Sequence, residues 1–151
     1  MQKITSFTVD HRNIDIGVYV SRIDNDITTY DLRTRKPNTG DVMDNASIHS
    51  VEHMFATVIR NSDLHDKIIY FGPMGCQTGF YLLVKDTENK KVLEQIKQTL
   101  EFIINYEGEM FGASEIECGN YKNLDIALAK KECAEYLKHI KHLTENDLKY
   151  K

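Results

Sequence analysis

The run Ile14-Asp15-Ile16-Gly17-Val18-Tyr19-Val20, the cluster Asp24-Asn25-Asp26 and the return Ile27-Thr28-Thr29-Tyr30-Asp31-Leu32-Arg33 decide the fold class. Apolar residues fall at the even positions of the first run, the period of a strand with one buried face. Asp and Asn close tight turns with their own side chains, so the cluster between the runs predicts a chain reversal. Strand, tight turn, strand implies antiparallel pairing, because a parallel partner needs a long crossover. Along the returning strand Tyr30 and Leu32 take one face while Asp31 and Arg33 take the other.

On the N-terminal side, Ile4 to Val9 reads as a further short strand with partial alternation. Beyond Pro37-Asn38 the period changes to helical. Ile48, Val51, Phe55, Val58 and Ile59 make a buried stripe across Ser47 to Arg60, and Asp44, Asn45 or Ser47 can cap it. Two more strands are expected at Ile68 to Phe71 and Gly79 to Val84, joined by the tight-turning Gly72-Pro73-Met74-Gly75-Cys76-Gln77-Thr78-Gly79. Asp86 or Thr87 can cap a second helix with Val92, Leu93, Ile96, Leu100, Ile103 and Ile104 on its apolar face. After a loop from Gly108 to Gly119, a final helix is expected from about Tyr121 to about Leu143, burying Leu124, Leu128, Leu137 and Ile140. Strands and helices mixed without strict alternation predict one α+β domain over residues 1–151.

Composition narrows the function. With 41% hydrophobic and 28% charged residues the chain is ordinary globular protein, neither collagen-like nor disordered. Asp and Glu number 23 against 19 Lys and Arg, so no basic excess exists to meet phosphates and nucleic acid is not an expected partner. No apolar run approaches the roughly 20 residues of a membrane span, and Met1 to Phe7 has no apolar signal core. Three cysteines cannot all pair within the chain, which points to a reducing compartment; a cytoplasmic location is expected.

The stretch His49-Ser50-Val51-Glu52-His53 carries the most chemistry. Residues four apart on a helix stand one turn apart, so His49 and His53 can direct ring nitrogens at one metal ion. Such pairs are often plain surface residues; the intervening glutamate, in the order H-x-x-E-H, strengthens the metal reading. Glu52 stands round from the pair, where a general base would sit. Cys118, followed by Gly119, is the best third ligand, and two imidazoles with a thiolate would leave an open position. Cys76, at a tight turn, is a second reactive candidate able to take and return protons. Cys133, inside the last helix with His139 and His142 beyond it, matches no compact ligand spacing and reads as structural. Ser6, Asp10, His11 and Arg33 are too scattered to interpret alone.

Together these residues resemble one family, the S-ribosylhomocysteine lyases (LuxS), which produce the precursor of autoinducer-2. The resemblance spans essentially the whole chain through Ser6-Phe7 with Asp10-His11, Tyr30-Asp31-Leu32-Arg33, Pro37-Asn38, His49-x-x-Glu52-His53, Pro73-Met74-Gly75-Cys76-Gln77-Thr78-Gly79-Phe80-Tyr81 and Glu117-Cys118-Gly119-Asn120. It implies a homodimer with a mainly antiparallel sheet covered by helices and a metal site at the subunit interface. It implies that His49, His53 and Cys118 hold one divalent metal per subunit, natively iron(II), with zinc or cobalt able to substitute. Cys76 and Glu52 would be the acid/base pair, and Ser6, His11 and Arg33 would line the substrate pocket. The implied reaction cleaves S-ribosylhomocysteine to homocysteine and 4,5-dihydroxypentane-2,3-dione, serving quorum sensing or the recycling of spent methyl donor. One stretch departs from the pattern: Tyr70-Phe71-Gly72 stands where many members carry Asp-Ile-Ser, which removes an acidic contact to the homocysteine end.

Two other readings compete. The inverted H-x-x-E-H also marks metallopeptidases, in which Glu132 would be the third ligand, but Cys76 and Cys118 then have no role. A structural or storage metal site would need a fourth protein ligand, and none is visible near the three.

Overall fold

A computed structural model describes residues 1–151. Four strands, β1 (Gly17–Asp24), β2 (Ile27–Arg33), β3 (Ile68–Pro73) and β4 (Gly79–Lys85), form one antiparallel sheet in the order β1-β2-β4-β3. Three helices, α1 (Asn45–Arg60), α2 (Asn89–Asn105) and α3 (Ile126–Ile140), complete the α+β architecture. The β1–β2 hairpin turns at Asn25, whose φ of 55° is the left-handed conformation that Asn tolerates better than most residues. Val18, Tyr30, Leu32, Phe71, Phe80 and Leu82 point from the sheet into a core shared with all three helices. A stack of Phe55, Phe71 and Phe80, with centroids 4.4 and 5.0 Å apart, joins α1 to the sheet. Each such pair contributes roughly 0.5–1.5 kcal/mol beyond its buried area. No helix is long and apolar enough to cross a membrane.

The expected strand at Ile4 to Val9 does not form. Thr5–Phe7 is a 3-10 turn in which the Phe7 amide bonds Ile4 of its own segment, and Ile4 and Phe7 stay exposed. The edge of β1 is met instead by the C-terminus: the Val20 amide donates to the Leu148 carbonyl at 2.8 Å, beside a bulge between Val20 and Arg22. The first helix is capped by Asp44, whose carboxylate accepts from the Ser47 amide. The second begins after Glu88, with no side-chain cap from Asp86 or Thr87.

The last helix is shorter than its apolar pattern suggested. A 3-10 turn at Tyr121–Asn123 precedes it, and Asp125 caps it by accepting from the Ala127 amide. Its buried face is Ala129, Cys133, Tyr136 and Ile140, with Leu124, Leu128 and Leu137 only half-buried. Positions 129, 133, 136 and 140 follow one helical line, which three leucines on the flank obscured.

Candidate active site

Helix α1 buries Ile48, Val51, Phe55 and Ile59 against the core, which leaves His49, Glu52 and His53 half-buried on its flank. The rings of His49 and His53 meet edge to face, 4.6 Å between centroids. Cys118 approaches from the loop before α3, its Sγ 3.3 Å from Nε2 of His49. One donor atom from each of the three lies within 4.8 Å of the others. Ligands around a single tetrahedral ion stand roughly 3.3–3.6 Å apart, so small side-chain movements suffice to close this set on a metal. Two imidazoles and a thiolate suit a borderline divalent ion with a coordination position left for substrate or water.

The outer nitrogens of both rings are engaged. Nδ1 of His53 lies 3.0 Å from the Phe111 carbonyl, and Nδ1 of His49 faces the side-chain oxygen of Asn123. The Asn120 amide donates to Cys118 Sγ at 3.4 Å. Gly112 lets the loop pass this close: its φ is +68°, and a Cβ there would stand 2.7 Å from Nδ1 of His53. The segment from Phe111 to Asn123 thus provides one thiol donor and the partners of both histidines. Sequence reading found Cys118 but not Phe111, Gly112 or Asn123; a glycine in a ligand-bearing loop was the only signal.

A second group gathers on the β3–β4 hairpin and β2. Cys76 is exposed, with Sγ 3.0 Å from Thr78 Oγ1 and 4.0 Å from Nη1 of Arg33. The turn puts Gln77 at a φ of 66° and ties it to the entry of α1, where Gln77 and Met43 exchange main-chain and side-chain hydrogen bonds of 3.0 and 2.9 Å. The thiol therefore stands at the same end of the fold as the N-terminal half of α1. Arg33 is buried, paired with Asp31 through Nε and Nη2 at 3.1 and 2.6 Å and donating from Nη1 to Thr78 at 2.9 Å. The Tyr150 hydroxyl donates to the same Asp31 carboxylate at 2.6 Å. Arg33 is thus held rigidly, with only its Nη1 edge turned towards Cys76.

The other expected residues lie apart. Ser6 lines a groove on the outer face of the sheet with Ile4, Tyr70, Tyr81 and Leu83, and the His11 ring bonds the Val9 carbonyl at 2.9 Å. Neither joins His49, His53 and Cys118 within this chain. Glu52, half-buried and next to His53 in the chain, is not part of the group. At Tyr70-Phe71-Gly72 the Tyr70 ring lies across Gly72, where an added Cβ would overlap its hydroxyl. Cys133 sits in the core, where burial pushes its thiol up to about 12. Glu132 pairs through one carboxylate oxygen with Arg35, 2.6 Å away, and is not part of the group formed by His49, His53 and Cys118, whereas the metallopeptidase reading requires it to be.

The family model for S-ribosylhomocysteinase (LuxS) matches residues 4–147. A protein of Finegoldia magna named S-ribosylhomocysteine lyase is 45% identical over 155 residues, covering 99% of both chains. Lyases of the same name are 44% identical in Borreliella burgdorferi, covering 99% of both chains, and 41% identical in Phocaeicola vulgatus, covering 99% of this chain and 98% of the relative. The chain belongs to the S-ribosylhomocysteinase (LuxS) family and with it to the carbon–sulfur lyases.

Proposed function

We propose that this member of the family cleaves the thioether of S-ribosyl-L-homocysteine, releasing L-homocysteine and 4,5-dihydroxypentane-2,3-dione, the precursor of autoinducer-2. The observation that carries this reading is the convergence of His49, His53 and Cys118 on one point, in a chain aligned end to end with lyases of that name. A divalent ion held by these three, iron(II) with zinc or cobalt as substitutes, supplies Lewis acidity to a carbonyl oxygen when bound.

The chain's own groups account for the proton movements. Cleavage requires the sugar carbonyl to migrate until the carbon bearing sulfur lies beta to it. Each migration removes a proton from a carbon beside the carbonyl and returns one to its neighbour. Cys76 takes and returns these protons, its Sγ held 3.0 Å from the Thr78 hydroxyl and 4.0 Å from Nη1 of Arg33. Arg33 acts chiefly here, because its other nitrogens are committed to Asp31. In the last step Glu52 removes the proton alpha to the carbonyl, the carbon–sulfur bond breaks with its electron pair on sulfur, and the homocysteine thiolate is protonated. The enol left behind becomes the dione, and no redox equivalent or water is consumed.

Ser6 and His11 complete the substrate pocket from a second subunit in a homodimer. The place of Ser6 in a groove that none of the three donor residues lines supports this, as does the exposure of Ile4, Phe7, Ile69 and Tyr70. The protein acts in the cytoplasm, where thiols stay reduced. Incubating metal-loaded protein with S-ribosylhomocysteine and measuring both products tests the proposal: homocysteine and dione appear in equal amounts if it holds, and neither forms if it fails.

A further inference from the structure

We propose that Asn123 is a positioning residue for the metal centre: its side-chain oxygen sets the proton and the orientation of the His49 ring. The inference rests on the reading of His49 as a ligand. Asn123 closes the 3-10 turn Tyr121–Asn123, between Cys118 and the start of α3. Its Nδ2 donates to Oδ1 of Asn45 at 2.7 Å, which leaves Oδ1 facing Nδ1 of His49. A ring nitrogen opposite a carbonyl oxygen must carry the proton, so Nδ1 is the N–H and Nε2 keeps its lone pair. Nε2 is the atom that stands 3.3 Å from Cys118 Sγ. With the amide turned the other way, Nδ2 would face Nδ1, Nε2 would carry the proton, and the ring could not ligate.

His53 is set in the same manner by the Phe111 carbonyl, a main-chain group. Asn123 is therefore the one side chain that orients a ligand ring here. The stitch is local and double: besides the Asn123–Asn45 bond, the Asp125 amide donates to Ser50 Oγ at 2.9 Å, on the residue following His49. The loop that delivers Cys118 is thereby locked to the helix that delivers His49, which makes position 123 a coupling point between two ligands.

The test is metal affinity, read without turnover. Apo-proteins are titrated with cobalt(II) against a competing chelator, following the thiolate-to-cobalt and ligand-field bands. Replacing outer partners of metal-bound histidines typically costs about 10- to 100-fold in affinity, and Asn123→Ala is expected to fall in that range with altered bands. Asn123→Asp keeps the acceptor and is expected to hold near-parental affinity, whereas Asn123→Leu keeps the bulk without the acceptor and is expected to lose metal like the Ala variant; a contribution of packing alone would instead be rescued by Leu. Asn45→Ala, which frees the Asn123 amide without touching either ring, gives a smaller loss and decides the matter if Asn123→Ala does not fold. Parental affinity and spectra in Asn123→Ala, or equal losses in the Ala and Asp variants, overturn the inference while His49→Ala still loses metal. If His49→Ala also keeps full affinity, the metal centre itself is misassigned and the inference falls with it.

Discussion

Nε2 of His49 and Sγ of Cys118 lie 3.3 Å apart although 69 positions separate them in the chain. This contact joins helix α1 to the loop before α3, and a shared metal would cross-link the two. A metal held by both would link loop geometry to metal affinity: moving the loop would loosen the metal, and metal binding would stabilise the fold by mass action.

Gly112 is the most sensitive point of that loop. Its φ of +68° already disfavours a side chain, and a Cβ would come within 2.7 Å of His53. Gly112→Ala is expected to cost about 1–2 kcal/mol in apo stability from the left-handed backbone alone. It should also weaken metal binding by displacing the Phe111 carbonyl from His53. Thermal melts of apo-protein and chelator competition check both.

Cys133 should be silent in chemistry and audible in stability. It is buried, and its thiol is pushed up to about 12, so it stays protonated and unreactive near neutrality. In native protein an alkylating agent should modify Cys76 first and Cys133 only after unfolding, as read by peptide mass analysis. Cys133→Ser should leave metal content unchanged and lower stability by about 1–3 kcal/mol, the cost of burying an unpaired hydroxyl.

Alkali should unfold the protein before mild acid does. Burial raises the phenols of Tyr19, Tyr30, Tyr81, Tyr136 and Tyr150, that of Tyr30 to about 12. Above the ordinary tyrosine value near 10, unfolded chains lose these protons while the folded chain keeps them. The stabilisation is complete below that value and is lost as pH rises through the folded values. Melting temperature measured against pH should be level near neutrality and fall steadily above about pH 10. Tyr150→Phe should make the fall shallower. At neutral pH it should cost about 1 kcal/mol through the lost bond to Asp31.

A shared active site predicts complementation. Cys76→Ala and His11→Ala homodimers should each be inactive, and mixing them with subunit exchange should restore turnover in the hybrids. A mixture no more active than its components would place His11 and Cys76 in one subunit's site or remove His11 from it altogether.

The β1–β2 hairpin was legible because its period of two fits a sheet with one buried face. The α1 face was legible through Ile48, Val51, Phe55 and Ile59, which are buried as expected, whereas Val58 is only half-buried and Met54 takes a core place that the stripe did not include. Ile4 to Val9 misled because Ile4 and Phe7 are exposed and the segment pairs with no strand. The α3 face was misread through residue type, since half-buried leucines drew attention from the line of Ala129, Cys133, Tyr136 and Ile140. In the site, the spacing of His49 and His53 is a property of one helix and could be read directly. The clasp of Arg33 by Asp31 and Tyr150 depends on how the C-terminus returns to the sheet, and no local pattern records that path.

The central claim separates two cysteines by role, and thiol release from S-ribosylhomocysteine by cobalt-loaded protein tests it most directly. Parent protein should release one thiol per substrate. Cys76→Ala should bind cobalt like the parent yet release none, and Cys118→Ala should fail because it no longer holds the metal. Thiol release by Cys76→Ala at the parental rate, or equal metal loss in both variants, would contradict the account.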